Sequence, residues 1–142
     1  MREIVLIGAG HTHLHVVREW GKRPIPNTRL TLVSKFPYAA YSGMLPATIA
    51  ELYSPDEMLV DLSELSDRCG ATFVVGEVQQ IDVKKKSIHT ADGLAIPFDV
   101  ASLGTGSVPA GMNSTVTNPR VIPIKPMQTF LPRLQTAFSF EF

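Results

Sequence analysis

Residues 4–20 read IVLIGAGHTHLHVVREW, and this stretch constrains the fold more than any other. An apolar run without alternation stops at Gly8-Ala-Gly10, and histidines follow at positions 11, 13 and 15. Consecutive β-branched and leucine residues suit a strand covered on both faces of a parallel sheet. After the glycines the period changes. Leu14, Val17 and Trp20 recur at helical spacing, and Gly21 with Pro24 is expected to stop the helix. A second expected strand, Arg29 to Val33 (RLTLV), completes strand, glycine turn, helix and strand within residues 3–34. That is a βαβ unit, whose crossover is right-handed almost by rule. The fold class expected is therefore α/β, built on a parallel sheet.

Within residues 35–48 the stretch FPYAAYSGMLP carries too many Pro, Gly and aromatic residues for a regular element and is expected to be a long functional loop. Short helices are expected around Ala47 to Leu52 and Leu62 to Cys69, the latter ending at Gly70. ATFVVG reads as a third strand. EVQQIDV, SIHTA and LAIPF, separated by Lys84-Lys85-Lys86 and by Ala91-Asp92-Gly93, read as a small antiparallel meander over residues 78–97. DVASLGTGS, within residues 98–107, reads as a last buried strand with another glycine turn. From residue 109 to 142 the expectation is a connecting segment. VPAGMNSTVTNPRVIPIKP has the Pro, Asn, Ser and Thr of a surface connection. MQTFLPRLQTAFSFEF starts like a helix that Pro132 should interrupt. Phe138, Phe140 and Phe142 are too apolar for a solvated tail, so the chain is expected to stop before its fold is complete.

With 142 residues the chain is about one domain long. Thirteen Lys and Arg balance thirteen Asp and Glu, which removes any global electrostatic attraction for nucleic acid. The lysine run is read as a solvated turn between strands. A single cysteine, Cys69, excludes an internal disulfide and fits a reducing compartment; it is read as an inert core thiol. The first apolar stretch, Ile4 to Ala9, is too short for a signal peptide core or a transmembrane segment, so a cytoplasmic protein is expected.

A strand that ends in Gly8-x-Gly10 and feeds a helix has a physical use. Gly8 permits the tight turn, Gly10 lets backbone approach a diphosphate, and the helix start holds negative charge with its N–H groups and dipole. In the usual fingerprint a third glycine follows; here that position is His13. His11 and Thr12, in the turn, are placed to touch a ligand, whereas His13 or His15 is expected to pack under the sheet. The rival reading is a metal-dependent hydrolase using the HTHLH histidines. It needs further ligands, and the remaining histidine, His89, lies in the meander beside no matching cluster. No metal ligand is therefore assigned.

An acidic residue about twenty positions past the glycines grips the ribose in NAD-binding units. This chain has Ser34-Lys35 there. Ser34 would either bond a ribose hydroxyl or start a turn. Spacing alone leaves NAD, NADP and FAD open.

The order of elements, and Asp99-Val-Ala-Ser-Leu-Gly-Thr-Gly-Ser107 on the last strand, resemble the FAD domain of the two-dinucleotide-binding-domain flavoproteins, with Gly104 in place of that group's alanine. GAGHTHLHVVREW, RLTLVS, YAAYSGMLPATIAELYS and DLSEL resemble one group within it over about residues 3–134. This group is the FAD-dependent pyridine nucleotide oxidoreductases related to type II NADH dehydrogenases, some fused to selenophosphate synthase. The resemblance implies a Rossmann-like FAD-binding domain, FAD as cofactor, and NAD(P)H as co-substrate of the complete enzyme. It implies that Gly8, Gly10, His11 and Thr12 contact the FAD diphosphate and that Ser34 and Lys35 lie by the adenosine. Ser42, Met44, Leu45 and Pro46 would approach the flavin side. Val78 would offer its backbone to adenine, and Thr105 with Gly106 would border the cofactor. Tyr41, Met44 and Leu45 can equally be read as a packed loop. The region AAYSGMLPAT lacks the Cys-x4-Cys pair of the disulfide reductases, so thiol–disulfide chemistry is not expected.

These readings make the chain the FAD-binding portion of an NAD(P)H-dependent flavin oxidoreductase with an unknown electron acceptor, and residues 109–142 a connection towards a missing NAD(P)H domain. No catalytic acid or base is assigned. The alternative is a truncated, non-catalytic nucleotide-binding domain that self-associates as a homo-oligomer through an exposed sheet edge and an apolar C-terminus.

Overall fold

A computed structural model describes residues 1–107 and 121–139. The chain divides into two compact units, one of residues 1–39 and 60–106, the other of residues 40–59 and 107–142. The first holds β1 (Arg2–Ile7), α1 (His11–Lys22), β2 (Thr28–Ser34), α3 (Leu62–Arg68), β5 (Thr72–Val75), β6 (Val78–Asp82), β7 (Ser87–Thr90), β8 (Ala95–Pro97) and β9 (Val100–Leu103). The short strands β3 (Tyr38–Ala40) and β4 (Leu59–Asp61) pair where the chain leaves and re-enters that unit. The second unit holds α2 (Leu45–Ile49) and α4 (Phe130–Ser139).

Four strands form a parallel sheet in the order β5-β2-β1-β9. Ile4, Val5, Leu6 and Ile7 pair with Leu30, Thr31, Leu32 and Val33 on one side. On the other they pair with Val100, Ala101, Ser102 and Leu103. Side chains of a strand alternate between faces, and here each face has its own apolar layer. Leu6, Leu30 and Leu32 pack with Val17 and Trp20 of α1 and Leu62 of α3. Val5, Ile7 and Val33 pack with Ile88 of β7 and Ile96 of β8. A continuous apolar run is thus read by two layers at once, as expected for a covered parallel strand.

The helix expected from the Leu14, Val17 and Trp20 spacing runs to Lys22, so Gly21 lies inside it and does not stop it. Its glycine answers a packing need. A Cβ there would lie 3.0 Å from the Cys69 Cα and 3.1 Å from its Sγ, at the end of α3. α3 begins at Asp61, whose carboxylate accepts from the Glu64 N–H at 2.9 Å, an N-cap of the ordinary kind. Gly70 follows in the left-handed region, φ +66°.

β6, β7 and β8 form the antiparallel meander, and the lysine run makes the β6–β7 turn, with the Asp82 carboxylate accepting from the Lys85 N–H at 2.9 Å. β9 is the exception among the strands. It was expected to be buried, but it is an edge that pairs with β1 alone among the described strands, and Val100 and Leu103 are 56% and 65% exposed. Asp99, just before it, accepts from the Glu3 N–H at 2.9 Å and donates its own N–H to the Glu3 carbonyl at 2.8 Å.

The stretch expected to be a loop contains β3, then, in the second unit, a 3₁₀ turn (Ser42–Met44) and α2, with Pro46 in the first helical turn. Pro132 likewise does not interrupt α4. It is the third residue of the helix, where a missing N–H costs no intrahelical bond. Leu45, Met58 and Phe130 form this unit's core, with Met44, Leu59, Ile122, Met127, Leu131 and Leu134 around them. The expected surface connection over residues 108–120, Phe140 and Phe142 lie outside the described residues. Among the described residues no helix is long and apolar enough to cross a membrane.

Two outcomes follow from this packing. Leu32 is fully buried, and Leu32→Ala is expected to destabilise the chain by about 2–5 kcal/mol, seen as a lower urea midpoint. The Asp99 carboxyl is held below the ordinary aspartate value of 3.8, chiefly by the Glu3 N–H and further by the Lys86 ammonium. Its stabilising effect is complete above that value and lost as the pH falls through the lowered one. Asp99→Asn is therefore expected to flatten the acid limb of the stability–pH curve.

Candidate functional site

The carboxyl end of β1 leads to α1 through three residues. Gly8 has φ +92°, and its N–H donates to the Val33 carbonyl at 2.8 Å. A Cβ at Gly8 would run into the Gly104 carbonyl, 2.7 Å from its carbon, with the Thr105 Cα at 3.0 Å. The fold itself therefore demands glycine at this position. Gly10 differs. It is the N-cap of α1, with φ −73° and ψ 167°, and a Cβ there would meet just the Gly104 oxygen, at an ordinary 3.5 Å. Among the described residues, packing sets no requirement for glycine at Gly10.

α1 begins with no capping side chain and no acidic residue in its first turn, among the described residues. Gly10, His11 and Thr12 are exposed there. A helix start of this kind, at the carboxyl edge of a parallel sheet, attracts an anion through its N–H groups and dipole. Thr105 and Gly106, which follow β9, are also exposed, and a Cβ at Gly106 (φ +79°) would meet nothing within 4 Å among the described residues.

His13, in the third-glycine position, is 3% exposed. Its Nδ1 lies 2.6 Å from the Gly8 carbonyl oxygen, and since a carbonyl can only accept, Nδ1 carries the proton. Nε2 lies 2.9 Å from the Ser102 hydroxyl, which donates to it in the neutral ring. Both ring nitrogens are thus engaged, so the metal reading has no middle histidine to use. His15 is exposed, with Nδ1 3.5 Å from an Arg18 guanidinium nitrogen. Among the described residues no three His, Cys, Asp or Glu side chains stand together as a ligand set.

At the end of β2, Ser34 is buried and its hydroxyl accepts from the Phe36 N–H at 3.3 Å, the turn-starting role. The neighbouring Lys35 is exposed and donates to the Glu77 carboxylate at 2.9 Å. The Gly76 N–H, bonded to the Ser34 carbonyl at 2.9 Å, brings Glu77 to this place. An ion pair exposed to this degree, 56% and 50%, adds little to stability. Both groups stay accessible to a ligand. Val78, at the start of β6, shares an open cavity of about 320 Å³ with Ile7, Leu103 and Thr105. Glu77 and Ser102 were missed in the sequence, since Glu77 lies in no motif, Ser102 fills an unspecified position of the Asp99–Ser107 motif, and each reaches its partner by tertiary contact alone.

The remaining expected residues belong to the second unit. Ser42 and Pro46 are exposed there, Met44 is half-buried, and Leu45 is a core residue at 5% exposure. The packed-loop reading therefore holds for the Leu45 side chain. Tyr41 is about half exposed.

No family model matches the chain. Solved structures do. The chain is similar to the sulfide:quinone oxidoreductase of the hyperthermophilic bacterium Aquifex aeolicus, with a TM-score of 0.73 and 18% identity over 99% of this chain and 33% of that one. It is similar to the water-forming NADH oxidase of Lactobacillus brevis, determined with NADH bound, with a TM-score of 0.66 and 15% identity over 77% of this chain and 26% of that one. The NADH:rubredoxin oxidoreductase of Clostridium acetobutylicum gives 0.57 and 17% over 75% and 30%. The fold is that of a Rossmann-like FAD-binding domain. The chain spans 26–33% of the length of these three oxidoreductases.

Gly8→Ala is expected to cost at least about 2 kcal/mol, because a positive φ and a backbone collision coincide there. Thermal unfolding of the variant beside the wild-type chain measures it.

Proposed function

We propose that the chain is the FAD-binding portion of an NAD(P)H-dependent flavin oxidoreductase. The observation that carries this reading is the start of α1, exposed at Gly10, His11 and Thr12, where among the described residues glycine at Gly10 serves no packing purpose. The fold shared with flavin-dependent oxidoreductases supports it. Gly8 and Gly10 shape the turn, and the first amides of α1, at His11 and Thr12, face the FAD diphosphate. Lys35 lies at the adenosine end with Ser34 behind it, Val78 offers its backbone to adenine, and Thr105 with Gly106 flanks the cofactor. The flavin-side role of Ser42, Met44, Leu45 and Pro46 belongs to the same reading and rests on resemblance. So does the narrower kinship with type II NADH dehydrogenases and the group fused to selenophosphate synthase.

FAD, when bound, supplies a centre that accepts a hydride and passes electrons on. This chain's residues bind and orient that cofactor. No side chain here is assigned a proton-transfer role. NAD(P)H would be bound by parts of the protein beyond these residues, and the setting would be the cytoplasm. A second reading, a self-associating nucleotide-binding module, draws on the exposed edge of β9.

Gly10→Asp separates fold from function. Its φ and ψ suit an aspartate N-cap, which would satisfy helix N–H groups and favour the dipole. The variant is expected to keep or raise the melting temperature while FAD affinity falls by at least about a hundredfold, as a fixed carboxylate competes with the diphosphate. Flavin fluorescence titration reads the affinity. Undiminished uptake of FAD by a folded Gly10→Asp chain would sink the proposal.

A further inference from the structure

The third position of the glycine fingerprint ordinarily brings helix and strand close together by having no side chain. Here an imidazole fills that gap, and three features of its surroundings bear on what it does. The His13 ring bridges the Gly8 carbonyl, at 2.6 Å, and the Ser102 hydroxyl, at 2.9 Å. The ring itself is buried, at 3% exposure. Gly104 yields it room, because a Cβ there would stand 2.6 Å from Cε1 and 2.8 Å from Nδ1. One side chain thus links the turn after β1, the first turn of α1, and β9.

The peptide plane gives this link a consequence. In a trans peptide, the carbonyl of one residue and the N–H of the next point in opposite directions. Drawing the Gly8 oxygen inward to His13 therefore turns the Ala9 N–H outward. We propose that His13 is a positioning residue for diphosphate binding: by holding the Gly8 carbonyl, it presents the Ala9 amide to the anion. The proposal rests on the FAD reading and extends it to a residue outside the ordinary fingerprint. It also separates the two ring nitrogens, since Nδ1 sets the amide and Nε2 anchors the ring to β9.

The test uses the whole chain and three ligands, FAD, ADP and adenosine, the last lacking any diphosphate. His13→Ala is expected to weaken FAD and ADP by at least about tenfold, the loss of one oriented amide against an anion, and to leave adenosine unchanged. His13→Asn places an amide nitrogen where Nδ1 stood and is expected to restore most of the ADP affinity. His13→Gln reaches the Nε2 position instead and should not. Gly104→Ala, whose methyl would push the imidazole aside, is expected to reproduce the diphosphate-selective loss and serves if His13→Ala fails to fold.

Equal losses for ADP and adenosine, or a lower melting temperature with FAD and ADP affinities intact, would overturn the proposal. So would Asn and Gln behaving alike. A wild-type chain that takes up neither FAD nor ADP overturns the FAD reading together with this one. Wild-type uptake with His13→Ala unchanged overturns this one alone.

Discussion

Between the end of β1 and the residues after β9 there is no space for a side chain at Gly8, and much of the first unit depends on that narrowness. Gly8 takes φ +92° against the Gly104 carbonyl, while its N–H binds Val33 and the Gly104 N–H binds the Ile7 carbonyl at 2.7 Å. Three adjacent strands therefore meet at one turn. The turn launches α1 back across the sheet, so that Val17 and Trp20 cover Leu6, Leu30 and Leu32 on one face. The meander covers Val5, Ile7 and Val33 on the other. The same geometry leaves the helix start facing outward, at the carboxyl edge where parallel α/β sheets bind ligands.

What could be read in the residues is what local chemistry decides. Consecutive apolar positions at 4–7 required two covering layers, and both are present. The meander, its lysine turn and the α3 helix followed from periodicity and turn residues. The misreadings have physical causes. Gly21 looked like a helix stop, but its missing side chain admits Cys69, which closes α3. Pro132 looked like an interruption because its position relative to the helix start could not be seen. β9 looked buried because apolar composition does not reveal whether a strand has one neighbour or two.

The candidate site shows the same division. The glycine turn is a contiguous signal and was legible. The engagement of His13 by Ser102, 89 positions away, and of Lys35 by Glu77, 42 positions away, was not. At the end of β2 the sequence suggested a missing acid. In the fold an acid, Glu77, arrives from the link between β5 and β6 and stands beside the lysine. Alternating histidines suggested metal ligands, yet one is interior and two face solvent, because a helix sends alternate residues to different sides.

The mutual fit of His13 and Gly104 bears on how such a pair can arise. An alanine at 104 would drive its methyl into the imidazole ring. Glycine at both positions would leave merely a gap. The two replacements are therefore not interchangeable in order: loss of the methyl opens the way for the ring, whereas the ring arriving first meets a blocked site. A double replacement at this turn is therefore order-dependent, set by van der Waals radii.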